Sequence, residues 1–122
     1  MSVRILIIED EPLVALEIEQ VVQDNGAIVA GMGHTLDEAL ELVERGGFDA
    51  AILDANLRGE SAEPLISRVQ EMGVPLLVVS GYTRDQLPFL DDGVPLMGKP
   101  FGFDALVDAI ETHLRPKDLK AG

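Results

Sequence analysis

The chain has 122 residues, enough for one domain that buries roughly two-thirds of its unfolded surface, with 47% hydrophobic and 25% charged residues. It has no cysteine and no long apolar run, which excludes disulfides, thiolate metal sites and a membrane-spanning helix, and fits a cytoplasmic protein. A net charge of −13 argues against nucleic acid or membrane binding through this domain, and favours cations or basic partners.

The first predicted strand, Val3 to Ile8, runs straight into Glu9, Asp10 and Glu11 with no basic neighbour. Three adjacent carboxylates at the mouth of a core strand repel one another and resist desolvation. Pro12 then opens an amphipathic helix with Val14, Ile18, Val21 and Val22 on one stripe, closed by Asn25-Gly26. Ala27 to Met32 is the second strand. The capping box Thr35-x-x-Glu38 starts a second helix carrying Leu36, Ala39, Leu40 and Val43, and Gly46-Gly47 ends it. Phe48 to Asp54 is the third strand. Leu65, Ile66, Val69 and Met72 mark a third helix that stops at Gly73. Pro75 to Ser80 is the fourth strand. Thr83-x-x-Gln86 predicts the cap of a fourth helix, which Pro88 holds to about two turns. Val94 to Gly98 is the fifth strand, and Phe103, Leu106, Val107, Ile110 and Leu114 define the last helix.

The strand runs lack apolar/polar alternation, as expected of parallel strands covered on both faces. Strands alternating with helices imply a flavodoxin-like α/β fold. It is a doubly wound five-stranded parallel sheet, strand order 2-1-3-4-5, with helices on both faces and a ligand site at the carboxyl ends of the strands.

In that order the first and third strands are neighbours, so Glu9, Asp10 and Asp54 meet at one sheet edge. A hard divalent cation resolves their repulsion, and Mg²⁺, held by a few carboxylates and waters, fits best. For Glu9-Asp10-Glu11 alone, a solvated acidic loop is the plain alternative. The remaining strand ends favour the site: Ser80 ends the fourth strand, and Lys99 follows the fifth, just before Pro100. A nucleophilic carboxylate, a metal cradle, a hydroxyl donor and an ammonium around one point are what a phosphoryl group needs. Asp54 would attack, Lys99 and the metal would neutralise equatorial oxygens, and Ser80 would donate a hydrogen bond.

At these residues the chain resembles the response-regulator receiver domain of two-component signalling, from Val3 to about Leu114. The resemblance implies an aspartyl-phosphate switch charged by a histidine kinase or a phosphotransfer protein and read by a downstream protein. It is no enzyme beyond its own phosphorylation and dephosphorylation. In FDAAILDANLRGES, Asp54 matches the phosphoacceptor, and Asn56 stands where the family supplies a metal ligand from a backbone carbonyl. Glu9 and Asp10 match the acidic pair, Ser80 and Lys99 the hydroxyl and the lysine, with Lys99-Pro100 joined in cis. The domain is expected over residues 1–116, followed by a polar tail at 117–122. Either the chain is a complete single-domain regulator or phosphate sink, or an output domain has been cut away.

Two departures from the family pattern stand out. Leu96 occupies the place of the usual aromatic switch residue three positions before the lysine, and Arg58 replaces a proline four residues after Asp54. Ser80-Gly81-Tyr82 and Lys99-Pro100-Phe101-x-Phe103 are similar to a subfamily of stand-alone receivers. With Leu96 lacking a ring or hydroxyl, Tyr82, on the loop leaving Ser80, is the candidate switch, with residues 81–93 as the segment that responds. His34 and His113 read as cap or surface residues, and Glu11 as a solvated residue at the start of the first helix.

Three rivals are weighed. A flavodoxin-type nucleotide binder needs a phosphate loop after the first strand, where Glu9-Asp10-Glu11-Pro12 would repel phosphate. A haloacid-dehalogenase phosphohydrolase needs a second carboxylate where Pro12 stands. A pseudo-receiver scaffold that is never phosphorylated has no use for Asp54, Ser80 and Lys99 together. Removing charge from the triad is expected to stabilise the fold in metal-free buffer, with Asp10→Asn as the substitution.

Overall fold

The structure is a computed structural model that describes residues 2–114; the tail and the domain boundary expected at residue 116 lie outside the described residues. Strand β1 (Arg4–Ile8) leads to helix α1 (Pro12–Asp24), β2 (Ile28–Gly33), α2 (Leu36–Arg45) and β3 (Ala50–Asp54). A short hairpin of β4 (Asn56–Leu57) and β5 (Glu60–Ser61) precedes α3 (Glu63–Glu71). Then come β6 (Leu76–Ser80), β7 (Leu96–Gly98) and α4 (Phe103–Ala109), which continues as a wider turn through Ile110–Leu114.

The main sheet is parallel, in the order β2-β1-β3-β6-β7. Counted by its own strands this is the expected 2-1-3-4-5. The missing alternation now has its cause. Leu6 and Ile8 of β1, with Ala51 and Leu53 of β3 and Val78 of β6, pack on one face against α2 and α3. Ile5, Ile7, Ala50, Ile52, Leu77 and Val79 pack on the other, against α1 and α4. Both faces of each central strand are core, so the period-2 signal vanishes.

Local signals hold at the α2 cap, where Glu38 N donates to Thr35 Oγ1 at 3.2 Å. Gly33 ends β2 where the backbone comes close: a Cβ there would lie 3.1 Å from Ile8 Cδ1 and 3.2 Å from Leu42 Cδ1. That closeness brings the start of the β2–α2 loop against the end of β1.

Four expectations shift. The bounds of β2 and β7 differ by one or two residues from those expected, which is ordinary for strand ends. Met72, expected in the core stripe of the third helix, is exposed because the helix ends at Glu71. Phe103 is also exposed rather than buried, since α4 begins there. The fourth helix is reduced to a single 3₁₀ turn, Arg84–Gln86. Its capping box forms, with Thr83 N donating to Gln86 Oε1 at 2.9 Å, but Pro88 cannot supply the next backbone N–H. Leu87, Leu90 and Val94 instead bury themselves singly from an irregular loop.

That loop is held by a side chain. The guanidinium of Arg84 donates to the carbonyls of Asp91 (3.0 Å) and Val94 (2.8 Å), doing part of what helical hydrogen bonds would do. Arg84→Ala should therefore speed amide exchange across residues 87–95 by about tenfold while leaving β1 and β3 protected. Exchange unchanged in that segment would show that the buried leucines suffice.

Candidate functional site

The sheet brings the chemistry to one edge because β1 and β3 are register neighbours, with Ile8 opposite Leu53. Glu9 and Asp54 are buried one step beyond those residues, and Asp10 is half-buried beside them. One carboxylate oxygen from each of Glu9, Asp10 and Asp54 lies within 4.8 Å of the others. Lys99, just after β7, extends its ammonium into this group. Its Nζ lies 2.8 Å from Asp54 Oδ2, 2.7 Å from Glu9 Oε1 and 3.7 Å from Glu11 Oε1. The Lys99-Pro100 bond is cis, as expected.

Ser80 is buried at the end of β6, where its carbonyl accepts from Lys99 N at 2.8 Å and its Oγ accepts from Tyr82 N at 2.9 Å. A hydroxyl that accepts from the chain keeps its own proton free to donate. Tyr82 lies on the loop leaving Ser80 and is 48% exposed. Asn56 N donates to Asp54 Oδ1 at 3.1 Å, and Asn56 Oδ1 accepts from Gly59 N at 2.9 Å. The Asn56 side-chain oxygen is thus engaged in the β4–β5 turn.

The electrostatics follow from burial against a single ammonium. Burial pushes Glu9 up to about 8, and the Lys99 ammonium only partly opposes this. Burial also raises Asp54 above the ordinary carboxylate range, again opposed by Lys99. Asp10 moves the other way: burial acts against its charge, but hydrogen bonds from a protonated Glu9 and from Arg58 N outweigh it. For Lys99, burial acts against the charge, and the hydrogen bond to Asp54 with the adjacent Glu9 carboxyl group overcomes it, so its pKa is raised. Without a metal, the triad is held together by a proton on Glu9 and by Lys99.

This revises the stability expectation. Asp10 carries its charge favourably in the folded protein, so Glu9, not Asp10, is where neutralisation should stabilise. The arrangement fits a hard cation. The donor set is all oxygen, the ionised triad outweighs its one ammonium, and Glu9 Oε1 is buried without a hydrogen bond because Lys99 approaches it off the bonding direction.

Sequence reasoning missed three neighbours. Arg58 N donates to Asp10 Oδ2 at 3.0 Å. A proline at that position would have no N–H, and could not adopt the φ of +53° that Arg58 takes in the hairpin turn ahead of Gly59 at φ +84°. The Arg58-Gly59 pair was the available signal. Glu11 lies near Lys99 and donates its N–H to Glu9 Oε2 at 3.0 Å, so it is more than a solvated helix start. His34, expected to be bland, places Nδ1 2.9 Å from the Glu9 carbonyl oxygen. No spacing in the sequence pointed to it. His113 lies on the last helix, near the opposite end of the sheet.

Comparison with known proteins agrees with this geometry. The chain is 31% identical over 121 residues to the transcriptional regulatory protein DltR of Streptococcus agalactiae, covering 95% of this chain and 54% of that one. It is 32% identical over 108 residues to the phyllosphere-induced regulator PhyR of Methylorubrum extorquens, covering 83% and 39%. The chain thus spans about half the length, or less, of these curated relatives. Among solved structures, SdrG from Sphingomonas melonis Fr1 superposes with a TM-score of 0.76 at 35% identity, covering 90% of this chain and 94% of that one. PhyR from Brucella abortus superposes at 0.83 with 29% identity, covering 99% and 51%. The family model for the response regulator receiver domain matches residues 5–111, nearly the whole described chain, and on that match the chain belongs to the response regulator receiver domains.

Proposed function

We propose that this chain is a phosphoacceptor switch in a two-component phosphorelay, and not an enzyme acting on an external substrate. Asp54 takes a phosphoryl group from a phosphohistidine of a histidine kinase or phosphotransfer protein, in the cytoplasm. The observation that carries this reading is Lys99 Nζ bridging Asp54 Oδ2 and buried Glu9 Oε1, beside the buried hydroxyl of Ser80. A carboxylate held against an ammonium, with a free hydroxyl proton nearby, suits an oxygen that will carry a phosphoryl group.

An Asp54 oxygen attacks phosphorus and the O–P bond forms as the N–P bond breaks. The imidazole nitrogen keeps the bonding pair and takes a proton. Lys99 turns from Asp54 Oδ2 to a phosphoryl oxygen, and Ser80 donates its hydroxyl proton to another. Glu9, Asp10, Asp54 and the Asn56 carbonyl would hold Mg²⁺, which when bound supplies countercharge to the phosphoryl oxygens.

Intact-mass spectrometry tests the site. With a phosphohistidine donor and Mg²⁺, the wild type should gain the mass of one phosphoryl group and Asp54→Asn should gain none. An adduct persisting on Asp54→Asn would place the acceptor elsewhere. If the wild type takes none while still binding a partner, the chain is a scaffold of the pseudo-receiver kind. Turnover of the adduct without partner binding would point to a phosphate sink.

An exposed apolar strip beside the site suits a donor protein. Leu13 is 75% and Leu16 55% exposed on α1, and Glu17, one residue on, lines a shallow pocket with Lys99 and Phe101. Leu13→Ser with Leu16→Ser should slow transfer from a phosphohistidine protein by about tenfold, the worth of a partly exposed apolar contact. Phosphorylation by a small acyl phosphate should stay unchanged. Equal losses with both donors would mean that the strip supports the fold rather than docking.

The downstream partner reads the loop after β6. PhyR from Bartonella quintana is described as an anti-anti-sigma factor; for the present chain the partner is a protein of unspecified kind that recognises a rearranged 81–93 segment. A relative, SdrG, has a BeF3-activated structure, so beryllofluoride is the natural probe. It should change amide protection across 81–93 and the exposure of Tyr82, and changes confined to α1 or α4 would rule out this output route.

A further inference from the structure

We propose that His34 is a positioning residue for the acidic pair, fixing the Glu9–Asp10 peptide so that both carboxylates face one point. The β1–β2 ladder ends at Ile8 opposite Gly33. One step on, Glu9 N still donates to Gly33 O at 3.1 Å. The carbonyl of Glu9 has passed the end of β2, and the His34 ring fills the gap, with Nδ1 2.9 Å from it.

A carbonyl oxygen only accepts, so Nδ1 must carry the proton, which sets the ring's tautomer. The ring is itself held. His34 N donates to Glu38 Oε1 at 2.9 Å, tying the residue to the first turn of α2, and Gly33 lets that loop lie against Ile8. Glu9 N thus fixes the peptide before Glu9, and the His34 ring holds the Glu9–Asp10 peptide by its carbonyl. Glu11 N to Glu9 Oε2 (3.0 Å) and Arg58 N to Asp10 Oδ2 (3.0 Å) then aim the two side chains. Losing the ring would leave a buried carbonyl without this donor and let this peptide rotate, spreading the carboxylates.

The inference rests on the metal reading of the triad, and its test separates the two. Mg²⁺ titration by calorimetry is run on the wild type, His34→Phe, His34→Gln and His34→Asn, alongside metal-free melting curves. The Asn amide nitrogen can take the place of Nδ1, whereas Phe has no donor and Gln carries its donor one atom further out. His34→Phe and His34→Gln should weaken Mg²⁺ binding about tenfold, the low end for groups that support metal ligands, while His34→Asn stays within about twofold of the wild type. Nitrogen-15 NMR of the wild type should show the neutral ring protonated at Nδ1.

If His34→Gln binds Mg²⁺ as the wild type does, if His34→Asn is as weak as His34→Gln, or if the ring is protonated at Nε2, the inference falls while the metal site stands. Affinities that merely follow the melting temperatures of the variants would also overturn it, as a purely structural role. A wild type that takes up no Mg²⁺ would overturn the metal reading, and the inference with it.

Discussion

In metal-free buffer, the protein should lose stability as the pH rises from about 4.5 towards about 8, the ordinary and folded values for Glu9. The sign follows from where the proton sits. The unfolded chain releases the Glu9 proton at the ordinary carboxylate value, while the buried carboxyl keeps it, so raising the pH across this window favours the unfolded state. Stability from this source is intact below the lower value and gone above the upper one. Asp54, also raised by burial, acts with the same sign. Asp10 acts with the opposite sign, but its transition lies below the ordinary carboxylate range and outside this window. The loss through Glu9 should be on the order of 5 kcal/mol.

Glu9→Gln isolates that contribution from the general effect of an acidic surface. The variant should match the wild type near pH 4.5 and become the more stable of the two towards pH 8. Urea denaturation at a series of pH values measures the difference. Saturating Mg²⁺ should reverse the order, because a cation binds the ionised wild-type triad and lacks one ligand in the variant. Parallel pH curves for the two proteins without metal would mean that Glu9 is ionised in the fold and that Lys99 alone balances the site.

The legibility of the site differed sharply between its parts. Asp54, Glu9, Asp10, Ser80 and Lys99 each end or follow an apolar run, so a strand order alone was enough to bring them to one edge. Asn56 was placed by its distance from Asp54 along the chain. The contacts that organise these residues were not legible, because backbone groups supply most of them. Arg58 serves through its N–H and its left-handed φ, and Glu11 chiefly through its N–H, roles that side-chain type alone does not specify. His34 depends on a close approach between the ends of β1 and β2 that only the packing of Gly33 against Ile8 and Leu42 reveals. The fourth helix failed for a related reason. Thr83 and Gln86 do form their cap, but a cap begins a helix only if the following residues can donate, and Pro88 cannot. Phe103 and Met72 matched the helical period and yet are exposed, because Phe103 is the first residue of α4 and Met72 lies just past the end of α3.

Removing the ammonium should have the largest effect on the switch. In metal-free buffer, Lys99→Met leaves Asp54 and Glu9 buried with no cation, and breaking a buried pair from one side costs about 3 kcal/mol or more. The destabilisation should shrink at low pH, where both carboxyls are protonated, and on adding Mg²⁺, which restores a positive charge to the same point. Phosphoryl acceptance should continue, since Asp54 and the metal ligands remain, although more slowly. What should vanish is the response beyond the site. Lys99 spans the acceptor and the end of β6: its N–H is bonded to Ser80 O at 2.8 Å, and its Nζ is bonded to Asp54. On the proposed mechanism, a phosphoryl group on Asp54 would draw Nζ away from the carboxylate, and that pull would reach β6 and the 81–93 loop through the same residue. With Leu96 offering neither ring nor hydroxyl, two links remain between acceptor and loop, Lys99 and Ser80, and Lys99 is the one bonded to Asp54 itself. Hydrogen exchange with beryllofluoride should therefore show changed protection at 81–93 in the wild type and none in Lys99→Met, with mass spectrometry confirming that the variant is still phosphorylated. A loop that responds equally in both proteins would remove Lys99 from the path and leave Ser80 and Tyr82 to carry the signal alone.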